Sequence, residues 1–275
     1  TWQKTTLAKG SSYSLPGVRD AEGYTFMGWS TKPMQSVSPQ YEAEEKITVN
    51  GNVDLYAVVF NRTTETDLTE DQLPQVDIYK YKQVIFVGDS RTEFMENVLT
   101  GMGESATKNV KFVCSAGKGL DWFTTTGWAQ LYSIVQHDSN SILSKKTAVI
   151  FNFGVNDLSK SADYAEYYNW IAPQLKSKGC ELYFMSVNPV NRLMLPNAGR
   201  ADRSEAAVRS FNQYMKANLS SAYTYIDMYS YLKSTGYSFA SDHYGTGTVD
   251  DGLHYTTRTY KRIFAKCMDS LRVPA

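Results

Sequence analysis

From Lys82 onward the chain alternates short apolar runs with longer stretches in which apolar residues recur at helical intervals. The runs Val84–Val87, Val110–Cys114, Ala148–Phe153, Leu182–Val187 and Tyr223–Ile226 are rich in β-branched and aromatic side chains, which predicts strands. The stretches Thr92–Met102, Trp122–Gln136, Tyr164–Lys178, Ser204–Leu219 and Thr257–Leu271 carry the helical period. Strand and helix in regular alternation predict an α/β domain, a parallel sheet covered on both faces. In such a sheet the site lies where the strands end, at their carboxyl edge.

Residues 1–60 differ in kind. Tyr24–Trp29 and Val53–Phe60 read as strands, Pro33, Pro39 and Asn50-Gly51-Asn52 between them are turn chemistry, and no segment has a helical period. A small all-β module is expected there. Residues 61–79 are polar, acidic and without apolar periodicity, and read as a linker to a domain spanning 80–275.

The strand-end loops carry the candidate chemistry. Val84-Ile85-Phe86-Val87 runs into Gly88-Asp89-Ser90-Arg91, so a buried strand delivers a serine into a turn at the start of a helix, whose first N–H groups favour developing negative charge. Ser115-Ala116-Gly117 follows the second strand and Gly154-Val155-Asn156-Asp157 the third. Before the last helix comes Asp250-Asp251-Gly252-Leu253-His254-Tyr255. The chain has only three histidines, and His254 stands three residues after Asp251, a spacing at which acid and imidazole can meet across a turn. His243, next to Asp242, is an alternative base. His137 ends a helix, where the dipole accounts for it. Each loop also has a plain reading as a turn or cap: Asp89 and Asp157 are expected to bond local backbone, and Arg91 to pair with an acid behind the site.

Taken together, Gly88-Asp89-Ser90, Gly117, Gly154-x-Asn156-Asp157 and Asp251-x-x-His254 resemble, in order and position, the four blocks of the SGNH or GDSL-like hydrolases. The resemblance covers about residues 82–271 and implies a flavodoxin-like three-layer α/β/α fold that hydrolyses esters through an acyl-enzyme. It implies Ser90 as nucleophile, His254 as general base and then acid, and Asp251 as the carboxylate that orients it. The oxyanion hole would be the backbone N–H groups of Ser90 and Gly117 and the side-chain amide of Asn156, with Gly119 a competitor for the place of Gly117. In the first sixty residues, Gly-Tyr-Thr-Phe-x-Gly-Trp, Tyr41 and Ile47-Thr48-Val49-Asn50-Gly51-Asn52-Val53-x-Leu55-Tyr56-Ala57 resemble the internalin-B-type (Listeria–Bacteroides) repeat of bacterial surface and secreted proteins. The closing aromatic is displaced, with Val59 in its place and Phe60 next. Trp29 and Tyr56 read as the core of a small module rather than as a ligand platform.

Composition narrows the substrate and partners. Acidic and basic residues balance at 28 each with no basic run, which argues against nucleic acid or an anionic membrane as partner. Cys114, Cys180 and Cys267 lack metal-ligand spacing and form no disulfide framework; each reads as a small buried hydrophobe. No His-Glu-x-x-His or Cys-x-x-Cys occurs, so no metal or other cofactor is expected, and the Gly-x-Ser-x-Gly elbow is absent. No stretch approaches a membrane span. Thr1 begins without a signal-like segment or initiator Met, and a mature or trimmed chain, secreted or on a bacterial surface, is expected.

Trp122, with Phe123, Asn188 at the head of Asn188–Arg192, and Tyr255 are placed at the border of the cleft as substrate contacts. Without a long apolar lid segment, the expected substrate is a small-molecule or polysaccharide ester with a short acyl group such as acetate, and residues 1–60 are expected to offer a cell-surface or glycan contact. Two alternatives stand beside hydrolysis: acyl transfer to an alcohol by the same triad, and a silent surface binding protein, against which the intact Ser90, Asp251, His254 and Asn156 speak. Activity is expected to rise with pH as the imidazole loses its proton, to need no metal, and to persist in residues 80–275 alone.

Overall fold

The computed structural model describes residues 3–77, 80–137, 146–195, 203–240 and 251–271. The N-terminal module is built of β1 (Ser11–Ser14), β2 (Tyr24–Ser30), β3 (Lys46–Val49) and β4 (Tyr56–Asn61), which pair as two antiparallel ribbons, β1 with β3 and β2 with β4. The expected strand at Val53–Phe60 starts only at Tyr56, because Asn52–Asp54 lie exposed before the β2 ladder begins. Trp29 is half-buried, packs edge-on against Phe26 and donates its indole N–H to Pro16 O at 2.8 Å. Tyr56, read from sequence as core, is instead 38% exposed.

The second unit runs β5 (Tyr81–Gly88), α1 (Ser90–Met102), β6 (Val110–Cys114), α2 (Leu120–Trp122), a wide π turn at Phe123–Gly127, α3 (Trp128–His137) and β7 (Lys146–Asn152). It continues with α4 (Ser161–Ser177), β8 (Cys180–Met185), α5 (Glu205–Asn218), β9 (Tyr223–Ile226), α6 (Met228–Thr235) and α7 (Thr257–Ser270). The five strands form one parallel sheet in the order β6-β5-β7-β8-β9. This is the flavodoxin-like order, in which the chain reverses direction of travel across the sheet beside β5, and the crevice at that reversal is where such sheets hold their sites.

Alternation along the strands builds two cores. Ile85, Val87, Val149, Phe151, Leu182 and Phe184 face α3, α4 and α5, while Val84, Phe86, Ala148, Ile150, Tyr183 and Met185 face α1, α6 and α7. Because both faces are covered, these strands read as continuous apolar runs, and each large side chain so buried stabilises by about 1.5–3 kcal/mol. Helix α6 was not foreseen: Met-Tyr-Ser-Tyr-Leu-Lys-Ser-Thr is short and mixed. It forms because Asp227 caps it by accepting from Ser230 N–H and because Met228 and Leu232 reach the second core.

That second core also takes in Met27, Val58 and Phe60 of the N-terminal module. Gly236 (φ +81°) admits the Phe60 ring so closely that a β-carbon there would lie 2.3 Å from it. The connection 61–77 runs along this seam. Glu65, 5% exposed, accepts from Ser238 Oγ at 2.6 Å and Arg262 at 2.9 Å, and Leu73 and Val76 are buried. The segment is thus anchored at Glu65, Leu73 and Val76 by contacts that a polar composition does not announce. Cys180 and Cys267 are buried, Cys114 half-buried, and all three are free thiols. Among the described residues no helix is long and apolar enough to cross a membrane.

Candidate active site

Strand β5 ends at Gly88, where only glycine fits: a β-carbon would stand 2.0 Å from Thr92 Oγ1 and 2.8 Å from Asn152 O. Asp89 then caps α1, its carboxylate accepting from Arg91 N–H at 3.0 Å, its carbonyl from Thr92 and Glu93 N–H. A side-chain cap of this kind contributes about 1 kcal/mol. Ser90 is therefore fixed as the first helical residue at the sheet's carboxyl edge, 6% exposed.

The loop before α7 meets it there. Ser90 Oγ lies 2.9 Å from His254 Nε2, and His254 Nδ1 lies 2.6 Å from Asp251 Oδ2. The other carboxylate oxygen, Asp251 Oδ1, accepts the N–H groups of Leu253 at 2.9 Å and His254 at 2.8 Å, so the acid holds both the ring and the turn that carries it. Gly252 between them sits at φ +66°, with no room for a β-carbon against Asn191 O.

Two further residues shape this pair, Phe94, which sequence reasoning gave no site role, and Arg91, which it placed differently. Phe94, one helical turn after Ser90, places its ring 4.1 Å from the imidazole centroid, and the i, i+4 spacing was the signal that could have found it. Arg91 was expected to pair with an acid. Its buried guanidinium instead donates to Leu253 O, Asn188 O and Pro189 O, each at 3.0 Å, and stacks over Tyr255. Loop ends leave backbone carbonyls without ladder partners, and a five-donor fork satisfies three of them at once.

Gly117 and Asn156 occupy the loops after β6 and β7, the two strands that flank β5. Gly117 has φ +69° and open space where a β-carbon would be; its neighbours Ala116 and Lys118 commit their N–H groups to Glu93 at 2.6 Å and Ser115 O at 3.3 Å. Gly119 has a different reason to be glycine: a β-carbon would strike the Asp157 carboxylate at 2.3 Å. Asp157 accepts from Leu120 N–H at 2.9 Å, 37 residues away, and from Tyr164 OH at 2.7 Å, so its carboxylate ties the two loops and α4 together rather than bonding local backbone as expected. The Asn156 amide donates to Lys118 O at 2.8 Å and accepts from Arg203 at 2.7 Å, Arg203 being a second unforeseen partner.

The expected substrate contacts fare unevenly. Trp122 is half-buried near Phe153, with ring centroids 6.1 Å apart. Tyr255 is 2% exposed, stacks on Phe239 and donates to Pro189 O, so it belongs to the core under the loop rather than to the cleft wall. Asn188 is 1% exposed, with its carbonyl turned to Arg91, and likewise does not line an open cleft. Tyr255 follows His254, which faces Ser90, and the next side chain along points the other way; Asn188 follows Val187, itself buried in the first core. The competing base His243 and the side chain of His137 lie outside the described residues.

Electrostatics divide the two acids. Burial pulls the Asp251 carboxyl upward, but its hydrogen bonds to His254 and Leu253 and the charge of His254 outweigh it and hold the group below the usual carboxylate range. Asp89 goes the other way: burial, opposed by Arg91, pushes it up to about 6. A carboxyl protonated longer in the folded than in the unfolded chain loses stability as pH rises from about 4 through about 6, which linkage converts to about 3 kcal/mol above that range. Asp89→Asn keeps a capping oxygen. It is expected to match the wild type in urea unfolding at pH 4 and exceed it at pH 8; equal stability at both would contradict the assignment.

Residues 84–267 match the model of the GDSL-like lipase/acylhydrolase family, two thirds of the chain. The chain belongs to this family. Residues 1–58 match the Listeria–Bacteroides repeat domain, ahead of the acylhydrolase domain. No curated protein matches the chain. Among solved structures, it resembles a protein of Slackia heliotrinireducens assigned to the SGNH hydrolases (12% identity, 70% of this chain and 100% of that one, TM-score 0.48). It also resembles an acetyl xylan esterase (10%, 69% and 100%, 0.46). A third is the catalytic domain of peptidoglycan O-acetyltransferase A from Streptococcus pneumoniae (16%, 70% and 92%, 0.40).

Proposed function

We propose that this acylhydrolase is a serine esterase that cleaves carboxylic esters of short acyl groups, on small molecules or carbohydrate, through an acyl-enzyme on Ser90. The observation that carries the reading is the continuous Ser90–His254–Asp251 chain of contacts at 2.9 and 2.6 Å. Ser90 Oγ attacks the ester carbonyl carbon as its proton passes to His254 Nε2. The imidazolium so formed is stabilised by Asp251, whose carboxyl is held ionised. The tetrahedral oxyanion is met by the N–H groups of Ser90 and Gly117 and by the Asn156 amide, those of Arg91, Thr92 and Glu93 being committed to Asp89. Collapse expels the alcohol, which takes the proton from His254. Water then repeats the attack through the same base, breaking the Ser90 ester and releasing the carboxylic acid.

Preference for acetyl over long chains, and for a glycan or surface setting, draws on the repeat module, which suits a secreted or surface-attached protein. The test is turnover of p-nitrophenyl esters of increasing chain length beside O-acetylated glycans, with an added alcohol acceptor. Free acid as the product supports hydrolysis; a new ester as the main product would mean transfer. Since the proton and charge transfers above are all assigned to side chains and backbone N–H groups, turnover is expected to be unchanged after dialysis against a chelator. Loss of activity restored by a divalent metal would overturn that.

A further inference from the structure

The turn that carries Asp251 and His254 is braced from outside the acylhydrolase domain. Asn191, 3% exposed in the segment after β8, donates its backbone N–H to Gly252 O at 2.8 Å, and its own carbonyl packs against Gly252 where a β-carbon would collide. Its side-chain oxygen accepts from Leu193 N–H at 3.1 Å, and its side-chain amide nitrogen donates to Val18 O at 3.0 Å and Asp20 Oδ1 at 2.8 Å, both in the N-terminal module. Asp20 is itself fully engaged. Its side chain is 1% exposed, Oδ1 also accepts from Phe26 N–H at 3.0 Å, and Oδ2 meets Arg62 at 2.5 Å. Three further contacts clamp the same stretch: Arg19 donates to Leu193 O, Gly17 packs on Leu193, and Glu44 pairs with Arg192 at 3.4 Å.

We propose that Asp20 is a positioning residue for the hydrolase site, acting through Asn191 on the turn that aims Asp251 and His254, so that the repeat module is a working part of the catalytic apparatus. The inference rests on the esterase reading above. Asn191 is the only link needed: one amide satisfies the module on one side, and one N–H fixes the turn on the other. A buried amide with its donors and acceptor all engaged has a single favoured orientation, and removing its partner frees that orientation. Displacement of a general base by a fraction of an ångström is enough to slow proton transfer. On this view, contrary to the expectation from sequence that activity persists in residues 80–275 alone, the hydrolase domain stripped of residues 1–60 would not work as the whole chain does.

The test uses the full chain with four substitutions: Asp20→Ala, Asp20→Asn, Asn191→Asp and, as a control at another point of the seam, Lys233→Met. Asn191→Asp is isosteric and keeps the acceptor for Leu193 but turns a carboxylate on that of Asp20 in place of the donors, so it breaks the same link by repulsion where Asp20→Ala breaks it by truncation. Two readouts are taken: the proton resonance of His254 Nδ1–H, assigned by its loss in His254→Gln, and kcat and KM per Ser90 site titrated with a fluorophosphonate. Asp20→Ala and Asn191→Asp are expected to shift or broaden the His254 signal and to lower kcat about 10- to 100-fold with KM little changed. Asp20→Asn, which keeps an acceptor oxygen, is expected to recover both. Lys233→Met removes a pair with Glu42 at 2.8 Å and is expected to lower Tm while leaving the signal and kcat in place. An unmoved His254 signal and unchanged kcat in both Asp20→Ala and Asn191→Asp would overturn the proposal. A wild-type chain that turns over no ester would overturn the esterase reading instead, and the His254 signal would still decide whether Asp20 sets the turn.

Discussion

Ser90→Ala is expected to lower turnover of a short p-nitrophenyl ester by about four orders of magnitude or more while leaving the fold intact. The substitution removes one oxygen. Helix α1 is capped by Asp89 and not by Ser90, and the β-carbon that remains fills the same space at the end of β5, so thermal unfolding should barely move. What disappears is the proposed nucleophile and its contact to His254. In the proposed mechanism Ser90 and His254 act as one unit, so His254→Ala should cost about as much, and the double variant should be no slower than either single one. Additive losses would show that the two side chains work independently and would break the assigned mechanism. A folded Ser90→Ala protein that kept more than about a hundredth of wild-type turnover would do the same.

The parts of this site that could be read from sequence are those fixed by local geometry. A β-branched run ending in Gly-Asp-Ser dictates strand, cap and helix start within a few residues, and Asp251 and His254 are close enough in the chain for a turn to join them. The strands were legible for a related reason: covered on both faces, they carry unbroken apolar runs. What could not be read depends on pairs brought together only by the finished fold. Asn156 meets Arg203 from 47 residues away, and Asn191 meets Asp20 from 171 away, neither with a spacing that marks it. Arg91 looked like half of an ion pair because residue type reveals charge but not the carbonyls that two loop ends present to it. Tyr255 and Asn188 were misplaced at the rim because following a site residue or a strand end says nothing about which way a side chain turns.

The contact between Arg203 and Asn156 decides how the proposed oxyanion hole is expected to respond to substitution. Arg203 donates to the amide oxygen, which leaves the amide nitrogen, already placed on Lys118 O, with its second hydrogen for the substrate oxygen. Asn156→Ala is therefore expected to lower kcat about 100- to 1000-fold with little change in KM, the loss typical of one oxyanion donor. Arg203→Met should do less, about tenfold, since the amide keeps its hydrogen but not its fixed orientation. Asn156→Asp separates structure from catalysis most sharply. A carboxylate there pairs with Arg203 and should fold as well as the wild type, yet it offers no donor and sets a negative charge beside the developing oxyanion. It should be slower than Asn156→Ala. Steady-state kinetics on one short ester, with unfolding curves for all three variants, test the order. If Asn156→Asp were as fast as wild type, the amide would be only a brace between Lys118 and Arg203, and the charge of the tetrahedral intermediate would have to be met by backbone N–H groups alone.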